Sequence, residues 1–282
     1  MPELPEVETV RRGLEAVLVG ATIASVVIDD SRLIQPRAPR DVEAAIAMRR
    51  CTGVQRRGKY LLIDFHDGST LEVHLRMTGS FAVGVNGVPE HARHVRARFT
   101  LDDAKVLVYN DPRRFGTFRL GPASEIRARL ASVLGPEPFD PAWSAASLRQ
   151  RLRARRVSIK AALLDQHVVA GLGNIYVDEA LFLSRIHPMR PARTIRVYEL
   201  ERLIDAVRER LTTAIEAGGS TLRDYRGVEG ADGTMQERFV AYGRQGASCM
   251  QCGDIMLGAR VAGRGTTWCA GCQPRSGPQR CQ

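Results

Sequence analysis

An α+β protein in two parts is predicted: an antiparallel β domain with flanking helices, then a helical domain ending in a metal-braced hairpin. Three observations predict it. Short apolar runs separated by turn dipeptides continue to about Leu120. Beyond a proline-rich stretch, Leu134–Pro141, helical periodicity takes over. Two Cys-x2-Cys pairs then lie close to the C-terminal end.

The first helix is read over about Pro5–Leu18, where Val7, Val10, Leu14, Val17 and Leu18 recur at helical spacing and Gly20 stops the run. Strand-like runs follow at Thr22–Ile28, Tyr60–Phe65, Thr70–Leu75, Val95–Leu101, Val106–Tyr109 and Thr117–Leu120, with one helix at about Asp41–Arg49. Asp67-Gly68, Asn86-Gly87 and Asp102-Asp103 supply turns between them. After the linker, helices are read at about 144–154, 158–165, 175–184 and 197–217. The expected domains are 1–134, a linker 135–142, and 143–282 with a zinc finger at 240–275.

The chain has 282 residues, 44% hydrophobic and 26% charged, which excludes disorder throughout. It lacks the roughly 18 uninterrupted apolar residues of a membrane span. Its acidic opening, Met1-Pro2-Glu3-Leu4-Pro5-Glu6, is no signal peptide, so a cytoplasmic, nucleoid-associated place is expected. The net charge of +10 favours a polyanion, a nucleic acid or a membrane surface. The excess is arginine, which a GC-rich genome also explains; the only lysines are Lys59, Lys105 and Lys160.

Cys249-x2-Cys252 and Cys269-x2-Cys272 stand sixteen residues apart. Two such knuckles can close a tetrahedral shell around one Zn²⁺, and four thiolates leave no open position, so the metal is structural. Two disulfides are the alternative, against the expected reducing compartment. The loop between the knuckles would aim an arginine outward. Cys51 reads as a core residue and Cys281 as part of a mobile tail.

The N-terminus has two readings. If Met1 is removed, Pro2 presents a secondary amine of pKa roughly 8, able to attack a carbonyl or sugar carbon and form an iminium. Glu3 beside it can shuttle protons. Otherwise the segment is only a proline-rich lead into a helix.

Met1–Glu15 resembles the opening of the formamidopyrimidine-DNA glycosylase family. The resemblance continues through Gln55–Tyr60, His74–Gly79, Asp111–Gly116, Gly171–Tyr176 and the cysteine pairs with Arg264, in the family's order. It implies an N-terminal β-sandwich and a helix-two-turns-helix domain. It implies excision of oxidised purines, 8-oxoguanine and formamidopyrimidines, followed by β- and δ-elimination. The partner is double-stranded DNA with oxidised bases or abasic sites, lying in a basic cleft between the domains of a monomer, without a membrane.

By that resemblance Pro2 is the nucleophile on C1′ and Glu3 the general acid/base. Lys59 contacts DNA and donates a proton in elimination. Arg264 binds phosphate and serves δ-elimination. An enzyme that acts on a base must take it out of the stack; Met77, Arg113 and Phe115 match the family's wedge into the vacated step. Core packing is the ordinary alternative for Met77 and Phe115. Arg155, within the run Arg149, Arg151, Arg153, Arg155 and Arg156, matches a DNA contact, and Lys160 is a candidate phosphate ligand. Asn174, at a helix start after Gly171-Leu172-Gly173, suits a phosphate too. A DNA-contacting histidine of the family matches His91 first and His94 next, with a structural role the alternative for either.

Two departures stand out. Arg76 replaces a small residue beside Met77, and Gly233-Thr234-Met235 replaces the Gly-Tyr-Phe of a mobile lid. The second motivates an alternative substrate class, oxidised pyrimidines or hydantoins. A damaged-DNA-binding protein without turnover is the alternative of another class. A zinc-ribbon RNA-binding protein would leave Pro2-Glu3 and Arg113–Phe115 unexplained.

Overall fold

The computed structural model describes residues 1–85, 87–89, 92–221, 227–228 and 230–275. They form two compact units. The first is Met1–Ser132 with Ile215–Thr234; the second is Val133–Ala214 with the remainder.

In the first unit, α1 (Leu4–Leu18) buries Val7, Val10, Leu14 and Leu18, each contributing about 1.5–3 kcal/mol by leaving water. Eight strands then follow among the described residues: β1 (Thr22–Ile28), β2 (Arg49–Arg57), β3 (Tyr60–Phe65), β4 (Ser69–His74), β5 (Ser80–Val85), β6 (Val95–Leu101), β7 (Lys105–Asn110) and β8 (Thr117–Pro122). Helix α2 (Pro39–Ile46) lies between β1 and β2, and α3 (Ala123–Val133) follows β8. All pairs are antiparallel, in the order β5-β7-β6-β1-β2-β3-β4-β8.

The β1–β2 seam is short, only Thr22↔Arg50 and Ile23↔Arg49, so the order folds there into two arms. Phe81 on β5 stacks on Phe118 on β8 with centroids 6.4 Å apart, although these strands end the order on opposite sides. Phe99 and Tyr109 meet the same Phe118 ring. The arms therefore face each other as a β-sandwich, as the resemblance implies.

Strands β2 and β5 and helix α3 lie outside the runs read from the sequence, and two boundaries differ from that reading. The helix expected to Arg49 ends at Ile46, because Met48 takes a left-handed φ of 62° that turns the chain into β2. Segment 215–234 clusters with the first unit, whereas the sequence reading placed it within 143–282. Three contacts explain why. Glu6 holds Ser220, Val83 N–H donates to Val228 O at 3.2 Å, and Val228 fills the space over Gly13 of α1, where a Cβ would collide with it.

The second unit contains α4 (Ala145–Leu152), α5 (Ile159–Leu164), α6 (Asn174–Leu183) and most of α7 (Val197–Glu216), then the hairpin β9 (Leu257–Val261) and β10 (Arg264–Trp268). Helix α6 is apolar nearly all round and buried, as a central helix must be. It also buries Glu179, whose carboxylate accepts the N–H groups of Val240, Ala241 and Tyr242 at 2.8–3.0 Å. That nest of donors makes burial of a carboxylate tolerable and fixes the chain leading to Cys249. No helix among the described residues is long and apolar enough to cross a membrane.

Candidate nucleic-acid interface and N-terminal site

Pro2 and Glu3 are both buried, Glu3 at 2% exposure. They sit at the start of α1, where the helix dipole favours carboxylates. Glu3 N–H donates to Glu6 Oε2 at 2.9 Å. The other oxygen of Glu6 accepts Ser220 N–H at 2.8 Å and its hydroxyl at 3.0 Å. One buried carboxylate thus ties the N-terminal segment to the segment 215–234. Gly219, with φ of 82°, lies against the Glu6 side chain and leaves no room for a Cβ of ordinary clearance.

Lys59 is 5% exposed and follows Gly58, whose φ of 60° makes the tight β2–β3 turn. Arg56 braces that turn: its guanidinium donates to Gly58 O at 3.0 Å and to Glu8 of α1 at 3.1 Å. Burial works against the Glu8 charge, yet Arg11 and Arg56 beside it hold its carboxyl below the usual range.

His74 was missed as a separate candidate. It pairs in register with Tyr60, next to Lys59. Burial, then Arg76 and Lys59, push its pKa down to about 3, so the ring is neutral. Its Nδ1 accepts Arg76 N–H at 2.9 Å, which makes Nε2 the protonated nitrogen. The sequence signal was its place one strand from a lysine turn, visible only once the β3–β4 pairing is known.

Met77 stands half-buried in the β4–β5 turn. Arg113 and Phe115 occupy the exposed β7–β8 loop, with the Arg113 guanidinium 4.8 Å from the Phe115 ring centroid. Phe115 is 51% exposed, far too open for a core residue. His94 is exposed, and Asn110 Oδ1 accepts its N–H at 2.7 Å. His91 lies outside the described residues, as does Cys281. Cys51 is buried at 1% exposure.

The hairpin of the second unit turns on Ala262 and Gly263, both at positive φ, between the paired Val261 and Arg264. That is the two-residue turn whose twist matches paired strands, and it leaves Arg264 exposed near the tip. The four cysteine sulfurs lie within 4.8 Å of one another, with Cys249–Cys272 at 3.8 Å and Cys252–Cys269 at 3.4 Å. A tetrahedron with metal–sulfur bonds of about 2.3 Å has edges of about 3.8 Å, whereas a disulfide needs about 2.05 Å. The cluster fits a four-thiolate metal shell.

Lys160 is not where a phosphate ligand must be. It is fully buried, with Nζ 2.6 Å from Asp178 Oδ1 and 2.9 Å from Gly265 O. Burial raises the Asp178 carboxyl above its ordinary value while Lys160 pulls it back. Asn174 Nδ2 donates to the same Gly265 carbonyl at 2.9 Å, and Asp178 accepts Thr267 N–H at 3.2 Å. These side chains of α5 and α6 pin β10, the strand that begins with Arg264. Lys160→Ala should therefore cost about 3–5 kcal/mol of unfolding free energy by leaving a buried carboxylate unpaired, read by urea denaturation. A phosphate ligand would instead leave stability intact and lower the salt slope of DNA binding by about one.

The arginine run is similarly divided. Arg149 donates to Arg193 O and Ile195 O, Arg151 to His167 O, and Arg155 pairs with Asp165 at 2.7 Å. Arg155 keeps a 35% exposed side chain and can still face a polyanion. In the lid region, Thr234 N–H donates to Ala217 O at 3.0 Å and Gly233 N–H to Thr221 Oγ1 at 2.8 Å. Met235 is buried. Residues 233–235 are thus anchored, and Met235 does not stand in for an exposed aromatic.

Comparison with known proteins gives a consistent result. Residues 1–118 match the formamidopyrimidine-DNA glycosylase N-terminal domain and residues 134–226 match the formamidopyrimidine-DNA glycosylase H2TH domain. A formamidopyrimidine-DNA glycosylase of Laribacter hongkongensis is 44% identical over 275 residues, covering 97% of this chain and all of that protein. The structure of Lactococcus lactis Fpg with an abasic site containing DNA has a TM-score of 0.90 at 37% identity, covering 96% of this chain and 99% of that one. The wild-type Lactococcus lactis protein with an oxidized pyrimidine containing DNA has a TM-score of 0.89 at 36% identity, covering 97% of this chain and all of that one.

Proposed function

The chain belongs to the formamidopyrimidine-DNA glycosylase family, a bifunctional family of base excision repair enzymes with abasic-site lyase activity, and on that premise we propose its substrates and the role of each site residue. It removes oxidised purines, 8-oxoguanine and formamidopyrimidines, from double-stranded DNA. Pro2, freed of Met1, is the nucleophile. Its nitrogen bonds to C1′ as the bond to the base breaks, and Glu3 delivers the proton the departing base needs. Glu3, now a carboxylate, takes the proton from the Pro2 nitrogen and passes it to O4′ as the C1′–O4′ bond breaks, leaving an iminium between Pro2 and C1′. This electron sink makes the C2′ proton acidic. Transfer of that proton to the Glu3 carboxylate expels the 3′ phosphate, and a second elimination expels the 5′ phosphate. Lys59 supplies a proton during elimination, and Arg264 holds phosphate for the second cut. The observation that carries this reading is the buried Pro2-Glu3 pair, fixed by Glu6 at the start of α1.

Met77, Arg113 and Phe115 fill the step left by the flipped base, with the arginine toward the orphan partner. His94, Arg155, Asn174 and the neutral His74 contact the backbone. One structural Zn²⁺ is held by Cys249, Cys252, Cys269 and Cys272; it supplies rigidity, with no open position for chemistry. The catalytic residues belong to domain 1–134, the DNA grip to 143–282. The enzyme acts as a monomer in the cytoplasm, at the nucleoid.

A second substrate reading, oxidised pyrimidines, is favoured by the buried Met235 and by the Lactococcus lactis complex. Single-turnover strand cutting on 8-oxoguanine:cytosine, formamidopyrimidine and dihydrothymine duplexes separates the two. Fastest cutting of the two purine lesions supports the proposal. Fastest cutting of dihydrothymine replaces it, and tight binding without cutting leaves a damage-binding protein.

A further inference from the structure

The residues assigned to opening the duplex stand on two separate loops, and a third loop carries the backbone contact His94. Met77 is in the β4–β5 turn, His94 precedes β6, and Arg113 and Phe115 are between β7 and β8. For the wedge to enter DNA as a unit, these loops must keep a common register. One residue reaches all three. Asp111 has no exposed surface. Its Oδ1 accepts the Thr78 hydroxyl at 2.5 Å, next to Met77. Its Oδ2 accepts Gly116 N–H at 2.8 Å, next to Phe115. Its own N–H donates to His94 O at 2.9 Å, and its carbonyl accepts Arg96 Nε at 3.0 Å. Thr78 Oγ1 in turn accepts Arg113 N–H at 3.3 Å.

We infer that Asp111 is a positioning residue for base extrusion: its carboxylate locks the two DNA-opening loops into one rigid wedge, and its main chain ties the His94 loop to it. This rests on the DNA-opening roles proposed above for Met77, Arg113 and Phe115. The reach to Thr78, 33 residues away, is more than a local turn cap, which bonds its own backbone one or two residues on. The packing behind Asp111 is equally close. The Tyr109 hydroxyl is buried against it, and a Cβ at Gly79 or Gly116 would overlap that hydroxyl. Glycine at both places lets the two loops close on the tyrosine. A buried carboxylate with two donors is stable only while both remain, so the loops are coupled through it. Such prior ordering removes the cost of fixing each side chain as the duplex opens.

Asp111→Asn, Asp111→Ala and Thr78→Val test the inference against two substrates. An 8-oxoguanine:cytosine duplex needs the wedge. A single-stranded oligonucleotide with an abasic site has no stack to open and no opposite base. The expected result is an excision rate on the duplex lowered by about 10- to 100-fold in Asp111→Ala, with a reduced preference for cytosine over adenine opposite the lesion. Cutting of the single strand stays near that of the parent protein. Asp111→Asn falls between, because its amide oxygen still accepts the Thr78 hydroxyl while its NH2 cannot accept Gly116 N–H. Thr78→Val, which removes one hydroxyl at nearly constant volume, shows the same pattern more weakly and serves if Asp111→Ala does not fold. A parallel fall on both substrates would mean general loss of fold and overturn the inference. So would unchanged duplex excision where Arg113→Ala and Phe115→Ala do lower it. If those two variants also leave duplex excision unchanged, the proposed DNA-opening roles fail first, and the inference with them.

Discussion

Replacing Glu3 by Gln should slow release of 8-oxoguanine by about 10²–10⁴-fold, the usual worth of a positioned general acid or base. The side chains match in shape, and Gln cannot donate or accept the proton that the leaving base requires. The surroundings should survive the change. The Glu3 main-chain N–H stays bonded to Glu6, and the α1 face that builds the core, Val7, Val10, Leu14 and Leu18, is untouched. Single-turnover excision and a thermal melt on the same sample check both halves. An excision rate equal to that of the parent protein would move proton transfer to another group. A large drop in melting temperature would show that the carboxylate instead supports the fold.

Removing the metal should have the second large effect. Structural Zn²⁺ sites of this kind contribute about 10–16 kcal/mol of apparent binding energy at neutral pH, more than the marginal stability of a domain. Lys160, Asn174 and Asp178 hold β10 at Gly265 and Thr267, but β9 exposes Leu257, Ala259 and Arg260 and buries only Val261, so the hairpin as a whole depends on the bracing of the cysteine knuckles. A chelator, or Cys272→Ser, should release one metal per chain and expose Trp268, which is 8% accessible in the fold. Its fluorescence should shift to the red. Strand cutting and DNA affinity should fall together, because Arg264 is no longer presented. Full cutting by metal-free protein would show that the finger is dispensable for catalysis.

The core strands are legible as short apolar runs between turn residues: β6 alternates buried and half-buried positions, whereas β3 buries Leu61, Leu62 and Ile63 in succession. Strands β1, β3 and β6 have the bounds read from their apolar runs. Strand β2 carries no apolar run that would mark it. Its buried positions are few, Cys51 and Val54, while Arg49, Arg50, Gln55, Arg56 and Arg57 dominate the composition. Helix α3 is likewise unmarked, with only Ile126 and Leu130 buried. At the site, the cysteine cluster was readable because its geometry is local in sequence. Lys160 was not, since its partners Asp178 and Gly265 lie 18 and 105 residues away. Hydrophobic periodicity says which face a side chain takes, but not which distant carboxylate will meet it. Asp111 was hidden for the same reason. It stood in a recognised motif, yet its role depends on Thr78 and His94, which pairing between strands alone brings near.

The role proposed for the N-terminal proline is to form the bond to the sugar. Its most direct test is borohydride reduction of the protein on a duplex with an abasic site, followed by proteolysis and mass spectrometry of the adduct. The expected product is one covalent complex, its sugar attached to the nitrogen of Pro2 in a chain that has lost Met1. An adduct on Lys59, or none at all with a processed N-terminus and bound DNA, would contradict that role.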